Sequence, residues 1–266
     1  PMIGALQFAS RDFITRWKGP QRPAPARRRR LEAGFALLLC ASIFWIAVFG
    51  DETIARAMKG VSPALYDFFS VITRLGESGW IFAASAFVLV AALVLRHRGF
   101  ALRIDAMLGL LAGRAFFLLA VNAVSGLASL AIKMLFGRAR PRLIDMVGPF
   151  HFDMFSWKSS VLSFPSGHSV TAFASATALA FMAPRLGKWL LVLAMLIALS
   201  RVVTGAHYPS DVMAGAALGA ASAFLLRRAF AARHIVFAWR ADAIVARGAG
   251  LMSSALSGVS GSGVKK

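Results

Sequence analysis

The sequence has few charged residues, a single cysteine and no compact group of metal-binding side chains. Each of these shortages excludes a class of protein or site. Charged residues make up 15% of its 266 residues, below the roughly 25% of ordinary soluble domains, so a conventional soluble fold is not expected. The single cysteine, Cys40, excludes an intramolecular disulfide. The segments assigned below to the outer face hold no compact group of Asp, Glu and His of the kind that binds a metal ion, so neither metal nor cofactor is expected.

Long hydrophobic runs are what the sequence has in abundance. Hydrophobic residues account for 58% of the chain, and the mean hydropathy is +0.69. Several runs reach the roughly 20 residues that cross a bilayer core. The predicted spans are residues 31–50, 79–95, 108–135, 164–183, 188–206 and 211–226. Residues 52–76 predict one or two amphipathic helices at the interface. The predicted fold is all-α: a polytopic membrane protein, a six-transmembrane-helix bundle with short interfacial helices.

Positive charge dominates the polar segments. The 30 basic and 11 acidic residues give a net charge of +19. Much of it flanks apolar runs, as in "ARRRR" at residues 26–30, which is typical of topology signals and lipid headgroup attraction, so no nucleic-acid partner is expected. Its distribution places both termini in the cytoplasm. We predict a basic cytoplasmic segment over residues 1–30, a six-span domain over 31–230, and a partly disordered cytoplasmic tail over 231–266.

This topology brings polar residues from three separate segments to the outer face. In "KMLFGRARP", Lys133 and Arg140 are two helical turns apart and can point at one site, although two cations at an interface can also simply reach for water. In "PSGH", Ser166 and Gly167 at a helix start offer a hydroxyl and free N–H groups to an anion, and His168 can transfer a proton. A plain helix cap would also explain the serine.

The third segment is "SRVVTGAHYPSD". Arg201 can bind an oxyanion through two N–H groups. Asp211 follows His207 by four residues across a turn, so the carboxylate can orient the imidazole and leave its other nitrogen free to attack. Alone, these residues could be a helix cap and an interfacial histidine. Together, three cations, a helix N-terminus and two histidines on one face favour phosphoryl transfer without a metal.

The same residues resemble the signature of the type-2 phosphatidic acid phosphatase superfamily. The three parts correspond to Lys133 through Pro141, Pro165 through His168, and Ser200 through Asp211, so the signature occupies residues 133–211. The resemblance implies that His207 attacks phosphorus to form a phosphohistidine, that Asp211 orients it, and that His168 protonates the leaving oxygen. The phosphate-binding residues that it implies are Lys133, Arg140, Ser166, Gly167 and Arg201.

A site at the outer boundary of the membrane suits a phosphate carried by a lipid. The resemblance implies a metal-independent hydrolase of the bacterial inner membrane with a periplasmic site. Its substrate would be an isoprenyl diphosphate, phosphatidylglycerol phosphate, phosphatidic acid or lipid A 1-phosphate. A phosphotransferase would use the same residues, and a lipid transporter that binds phosphate without turnover is the alternative from another class. His151, Glu77 and Trp80 are further candidates for contact with the substrate.

Overall fold

The structure is a computed structural model that describes residues 26–240 and 243–246. Most of the predicted segment 1–30 and of the predicted disordered tail therefore lies outside the described residues. The helices are α1 (Ala26–Phe49), α2 (Asp51–Met58), α3 (Pro63–Arg74), α4 (Ser78–Arg96), α5 (Leu102–Phe136), α6 (Ile144–Val147), α7 (Gly167–Met182), α8 (Gly187–Val203) and α9 (Pro209–Ala232). Short 3₁₀ turns cover Pro141–Leu143, Ser159–Val161 and Pro184–Leu186.

The helices confirm the predicted all-α membrane fold. Among the described residues, five segments are long and apolar enough to cross a membrane: Arg29–Phe49, Pro63–Arg96, Leu102–Phe136, Pro184–Val203 and Pro209–Ala232. Helix α7, which matches the predicted span 164–183, has 16 residues and is shorter than the roughly 20 that a perpendicular crossing needs. Six spans therefore remain a prediction. The two predicted interfacial segments are helices, α2 and α3.

One compact unit, made of residues 23–81 and 120–225, contains every predicted site residue. Its core joins α7 and α8 through Ala172, Ala176, Ala194 and Ile197, with Ile72 of α3 packed against them. Small residues allow helix backbones to approach closely, which is how helices associate inside a bilayer. The alanine-rich and serine-rich sequence of α7 thus places this helix at the centre of the unit.

Two glycines bring α9 against α7. A Cβ atom on Gly215 would lie 2.5 Å from the carbonyl oxygen of Ser166, and one on Gly219 would lie 2.3 Å from that of Val170. Neither distance is possible for a real side chain, so the contact requires glycine at both positions. Because Ser166 precedes the first residue of α7, this packing also fixes where α7 begins relative to α9.

The second unit includes residues 82–119, 226–240 and 243–246. The ring of Phe117 contacts Phe230 and Phe237 edge to face, with centroids 5.1 and 4.8 Å apart. Strands β1 (Phe237–Arg240) and β2 (Ala243–Ala246) form an antiparallel hairpin in which Phe237 pairs with Ala246. The sequence does not predict this hairpin, because strands of four residues are too short to show the alternation of polar and apolar residues that indicates a strand.

Candidate active site

Five structural segments contribute to the candidate site. Lys133 lies in the last turn of α5, but this helix ends at Phe136 and not at Pro141, so the prediction that Lys133 and Arg140 share a helix is wrong. Arg140 has an extended backbone and precedes the turn Pro141–Leu143. Ser166 precedes α7, and Gly167 and His168 are its first residues. Arg201 lies near the end of α8, His207 lies in the turn before α9, and Asp211 lies in the first turn of α9. The predicted residues thus meet where helices begin and end, so their backbone positions are set by the packing of the helices.

Three cations lie close enough for their charges to interact. The charges of Arg140 and Arg201 both act on Lys133, and all three cations act on His168. Burial and the charge of neighbouring Arg142 lower the pKa of Arg140 from its ordinary value. Clustered, partly buried like charges repel one another, so the cluster favours a bound anion with more than one negative charge.

Each cation is held by a different contact. The Lys133 ammonium donates to the carbonyl of Leu162 at 2.9 Å, and Arg140 Nε donates to the carbonyl of Ser159 at 2.8 Å. Arg201 Nη1 donates to Thr73 Oγ1 at 2.5 Å. The buried Nε of Arg201 has no hydrogen-bond partner in the part of the chain that the structure describes. A buried donor without a partner costs free energy, so this N–H is available to a ligand.

The start of α7 supplies a backbone cradle. Ser166 is buried, and its hydroxyl accepts a hydrogen bond from Ser169 at 3.1 Å. Gly167 has no side chain, and the nearest atom to an added Cβ would be Cε of Lys133 at 3.8 Å. The free space at this helix N-terminus lies next to a lysine side chain, and both features attract a phosphate.

The predicted nucleophile His207 and its partner Asp211 are both buried, and the Ser163 hydroxyl lies within reach of both side chains. His207 Nδ1 lies 3.7 Å from Asp211 Oδ2, which is longer than a hydrogen bond. The Ser163 hydroxyl donates to Asp211 Oδ2 at 2.6 Å and lies 3.4 Å from His207 Nδ1. The backbone N–H of Tyr208 also donates to Asp211 Oδ2, at 3.0 Å. Ser163 cannot be predicted as a site residue from the sequence, because it lies outside the motif and nothing near it in sequence indicates a contact with His207 or Asp211.

The protonation state of His207 follows from its burial. The side chain is 4% exposed, and burial lowers the pKa of His207 to about 4 against the opposing effect of Asp211. The ring is therefore neutral at neutral pH, which leaves one ring nitrogen with a lone pair. Neutral imidazole is the form in which histidine acts as a nucleophile.

Asp211 has a second buried partner that the motif does not include. Arg138 Nη1 donates to Asp211 Oδ1 at 2.8 Å, and both side chains are nearly inaccessible to solvent. Arg138 belongs to a short extended stretch, in which Gly137 and Ala139 bond to Asp153 and His151 through backbone groups at 2.8 and 2.9 Å. Arg138 is not among the site residues that the sequence predicts.

The weaker candidates have the following positions. His151 is exposed, and its carbonyl accepts the bond from Ala139. Glu77 lies close enough to Arg201 for their charges to interact, so Glu77 is near the cation cluster. Trp80 is half exposed and donates to the carbonyl of Leu75 at 3.1 Å. Among residues 26–240 and 243–246, no three His, Cys, Asp or Glu side chains are grouped as metal ligands are.

Known proteins are similar in sequence to this chain. The model of the PAP2 superfamily matches residues 114–235. A phosphatidylglycerophosphatase B of Bacillus subtilis is 30% identical over 206 residues, which cover 73% of this chain and 90% of that protein. The chain belongs to the PAP2 superfamily. The expected family is therefore confirmed.

Two further similarities come from this superfamily. A lipid A 1-phosphatase of Rhizobium johnstonii is 42% identical over 113 residues, or 42% of this chain and 46% of that relative. The chain thus matches less than half the length of this curated relative. The crystal structure of a transmembrane PAP2-type phosphatidylglycerolphosphate phosphatase from Bacillus subtilis superposes with a TM-score of 0.51 at 26% identity, covering 73% of this chain and 90% of that one.

Proposed function

We propose that this PAP2 protein is a membrane phosphatase that removes a phosphate from a lipid through a phosphohistidine on His207. The observation that carries the proposal is the buried, neutral His207 beside Asp211, in electrostatic contact with Lys133 and Arg140. The cations and the helix N-terminus would hold phosphoryl oxygens, which suits a transition state with negative charge spread over them.

The reaction would proceed in two steps. In the first, His207 Nε2 forms a bond to phosphorus while the bond to the lipid oxygen breaks, and His168 gives that oxygen a proton. In the second, water attacks phosphorus, the P–N bond breaks, and His168 takes the proton of the water. A bound phosphate offsets the charges of Lys133, Arg140 and Arg201, which helps His168 to hold the proton that it donates.

The lipid is proposed from the relatives and from the position of the site. Among the candidates, lipid A 1-phosphate is the first to test, because the relative named for it has 42% identity over 113 residues, against 30% over 206 residues for the phosphatidylglycerophosphatase. The distribution of Lys and Arg supports cytoplasmic termini and a periplasmic site in a bacterial inner membrane. Reporter fusions at the C-terminus and in the loop near residue 155 test this orientation.

A cavity of about 470 Å³ offers room for the group to which the phosphate is attached. It is lined by Pro141, which follows Arg140, and by Thr204 and Gly205, which lie between Arg201 and His207. Its polar lining residues are Lys59, Tyr66, Asp67, Arg142 and Thr204, and the others, such as Met58 and Val203, are apolar. The charged and hydroxyl groups suit a polar headgroup such as a phosphorylated sugar or glycerol.

The decisive experiment measures release of inorganic phosphate by the detergent-purified chain in EDTA. Substrates are lipid A, phosphatidylglycerol phosphate, phosphatidic acid and undecaprenyl diphosphate, each with His207→Ala and with the exposed His151→Ala as a matched control. Release that is lost only in His207→Ala, together with an acid-labile ³²P label on the wild-type protein, is the expected result. No release and no label from any lipid, with or without an added acceptor, would overturn the proposal, whereas label with acceptor-dependent product would identify a phosphotransferase.

A further inference from the structure

Asp51 is a buried carboxylate that the signature does not contain. It is the first residue of α2 and is completely inaccessible to solvent. It lies outside residues 114–235, which the superfamily model matches. Nevertheless it accepts hydrogen bonds from Arg138 Nη2 at 2.8 Å and from the backbone N–H of Ser210 at 3.0 Å, and the Ser210 hydroxyl donates to it as well. A carboxylate is rarely buried to this extent without a specific reason.

Arg138 connects this carboxylate to Asp211. One terminal nitrogen, Nη2, bonds to Asp51, and the other, Nη1, bonds to Asp211 Oδ1 and to Ser210 Oγ, each at 2.8 Å. Nε and Nη2 also reach the carbonyl of Pro149, at 3.1 and 3.0 Å. The guanidinium carbon lies 4.3 Å from the ring centre of Tyr208. Every nitrogen of Arg138 is thus engaged, so this arginine is not a further phosphate ligand, although it lies two residues before Arg140.

The network fixes the direction in which Asp211 faces. Arg138 occupies Oδ1, so Oδ2 remains on the side of Ser163 and His207. A guanidinium held at both ends cannot follow Asp211 if that side chain rotates, because Asp51 and the Pro149 carbonyl anchor it. Rigid supporting contacts of this kind keep reacting groups in productive geometry.

Asp51 also affects the net charge of the buried group beside His207. A pair of Arg138 and Asp211 alone would be neutral, and Asp211 would attract a positive His207 only weakly. Asp51 shares the charge of Arg138, so two carboxylates and one guanidinium leave a net charge of −1 beside the neutral ring. When His207 becomes phosphorylated, its ring becomes positive, and the buried group as a whole becomes neutral. Because uncompensated charge is costly in a buried site, this balance favours the intermediate.

We propose that Asp51 and Arg138 are positioning residues that orient Asp211 and preserve its negative charge toward His207. The proposal rests on the proposed function, since it assigns a role in forming the phosphohistidine. Neither residue touches the substrate. The effect of changing them should therefore appear in the rate of the chemical step and not in the binding of phosphate.

The test replaces Asp51 by asparagine, which keeps the shape and removes the charge. We expect kcat to fall by about 10-fold to 100-fold, the loss of an interaction with a charged group, with KM and the inhibition constant for orthovanadate changed less than twofold. The control is Asp145→Asn, which removes an exposed carboxylate paired with Arg56 and Lys59 and should leave kcat unchanged. Circular dichroism and thermal melts in detergent give the folded fraction by which every rate is divided.

A double variant separates charge from shape. Asp51→Asn leaves a net charge of zero near His207, whereas Asp51→Asn with Arg138→Gln restores −1, so the double variant should be faster than the single variant. Equal wild-type and Asp51→Asn rates, or a double variant no faster than Asp51→Asn, would overturn the proposal while leaving the phosphatase intact. Absence of activity and of orthovanadate binding in the wild type would instead contradict the proposed function.

One further variant covers the case in which Asp51→Asn does not fold. Ser210→Ala removes the hydroxyl that joins Arg138 and Asp51 without changing any charge. We expect a roughly threefold to tenfold lower kcat, corresponding to one hydrogen bond, with KM unchanged. An unchanged kcat in folded Ser210→Ala, or a change confined to KM, would count against positioning through this network.

Discussion

Arg201 and Thr73 form the contact that ties α3 to the candidate phosphate site. Arg201 Nη1 donates to Thr73 Oγ1 at 2.5 Å, across 128 residues of sequence. The bond uses one end of the guanidinium and leaves the buried Nε free of partners within the described residues. Thr73 therefore holds Arg201 without competing for the N–H that a phosphate oxygen would use.

Thr73→Val tests this contact. The variant keeps the shape of the side chain and removes the oxygen, so Arg201 loses its orientation. Loss of one hydrogen bond of about 0.5–1.5 kcal/mol predicts a KM increase of roughly twofold to tenfold, with a smaller change in kcat. Steady-state kinetics measure both constants, with the lipid from which the phosphate-release experiment finds turnover as substrate. Thr73→Ser retains the hydroxyl and should resemble the wild type; a serine variant as defective as the valine variant would point to the methyl group instead.

Gly76 supports the proposed general acid from the same end of α3. A Cβ on Gly76 would lie 2.6 Å from Cγ2 of Ile197 and 3.1 Å from Cβ and Cδ2 of His168. Gly76→Ala should therefore displace His168 and lower kcat, at an overpacking cost of about 1–3 kcal/mol. Gly79→Ala is the matched control, because nothing lies within 4 Å of a Cβ there. Equal kcat values for the two variants would show that the imidazole is not held through this contact.

The helical membrane fold could be predicted because hydropathy reports it directly. Helix ends were less predictable: α9 was expected to finish with the span at residue 226 but continues to Ala232. Arg227 and Arg228 end the apolar run, but arginine is a good helix former, so the charge marks a membrane boundary without ending the helix. The start of α5 at Leu102, before the predicted residue 108, has the same explanation.

The motif residues could be predicted from sequence because each lies near the end of an apolar run, and the predicted topology brings those ends to one face. The residues that contact them could not be predicted in this way. Thr73, Ser163 and Asp51 are ordinary polar residues in sequence, and their importance comes only from contacts across 44 to 159 residues. The same holds for Arg138, because its need for a carboxylate partner follows from its burial, which only the structure shows.

The packing of α9 on α7 predicts a difference between two glycines. Gly215→Ala places a Cβ 2.5 Å from the Ser166 carbonyl and 3.0 Å from Ser169 Cβ, so it should shift the start of α7. We expect a lower melting temperature and a higher KM, with a cost of about 1–3 kcal/mol. Gly126→Ala in α5 meets nothing within 4 Å and should be neutral or slightly stabilising. Melting curves and KM values that do not distinguish the two variants would refute this packing.

The buried ring of His207 predicts how stability depends on pH. Burial lowers the pKa of His207 to about 4, whereas an unfolded histidine titrates near about 6.5. Between these values the unfolded chain binds a proton that the folded chain does not, so stability present above pH 6.5 is lost as the pH falls toward 4. The melting temperature of the wild type should drop more across this window than that of His207→Asn. His151→Asn, which replaces an exposed histidine, should follow the wild type, and parallel curves for all three proteins would contradict the assignment.

The cavity beside Arg140 predicts a residue that recognises the headgroup without acting on phosphate. Arg142 is exposed and lines the cavity, next to Pro141. Arg142→Ala should raise KM for the lipid substrate by up to about fivefold, in the range of one exposed charged contact, and leave kcat unchanged. The inhibition constant for orthovanadate, which carries no headgroup, should stay within twofold of the wild type. Arg185→Ala, in the turn Pro184–Leu186, controls for loss of one positive charge. If orthovanadate binding weakens as much as the lipid KM rises, Arg142 belongs to the phosphate site and the cavity does not select the headgroup.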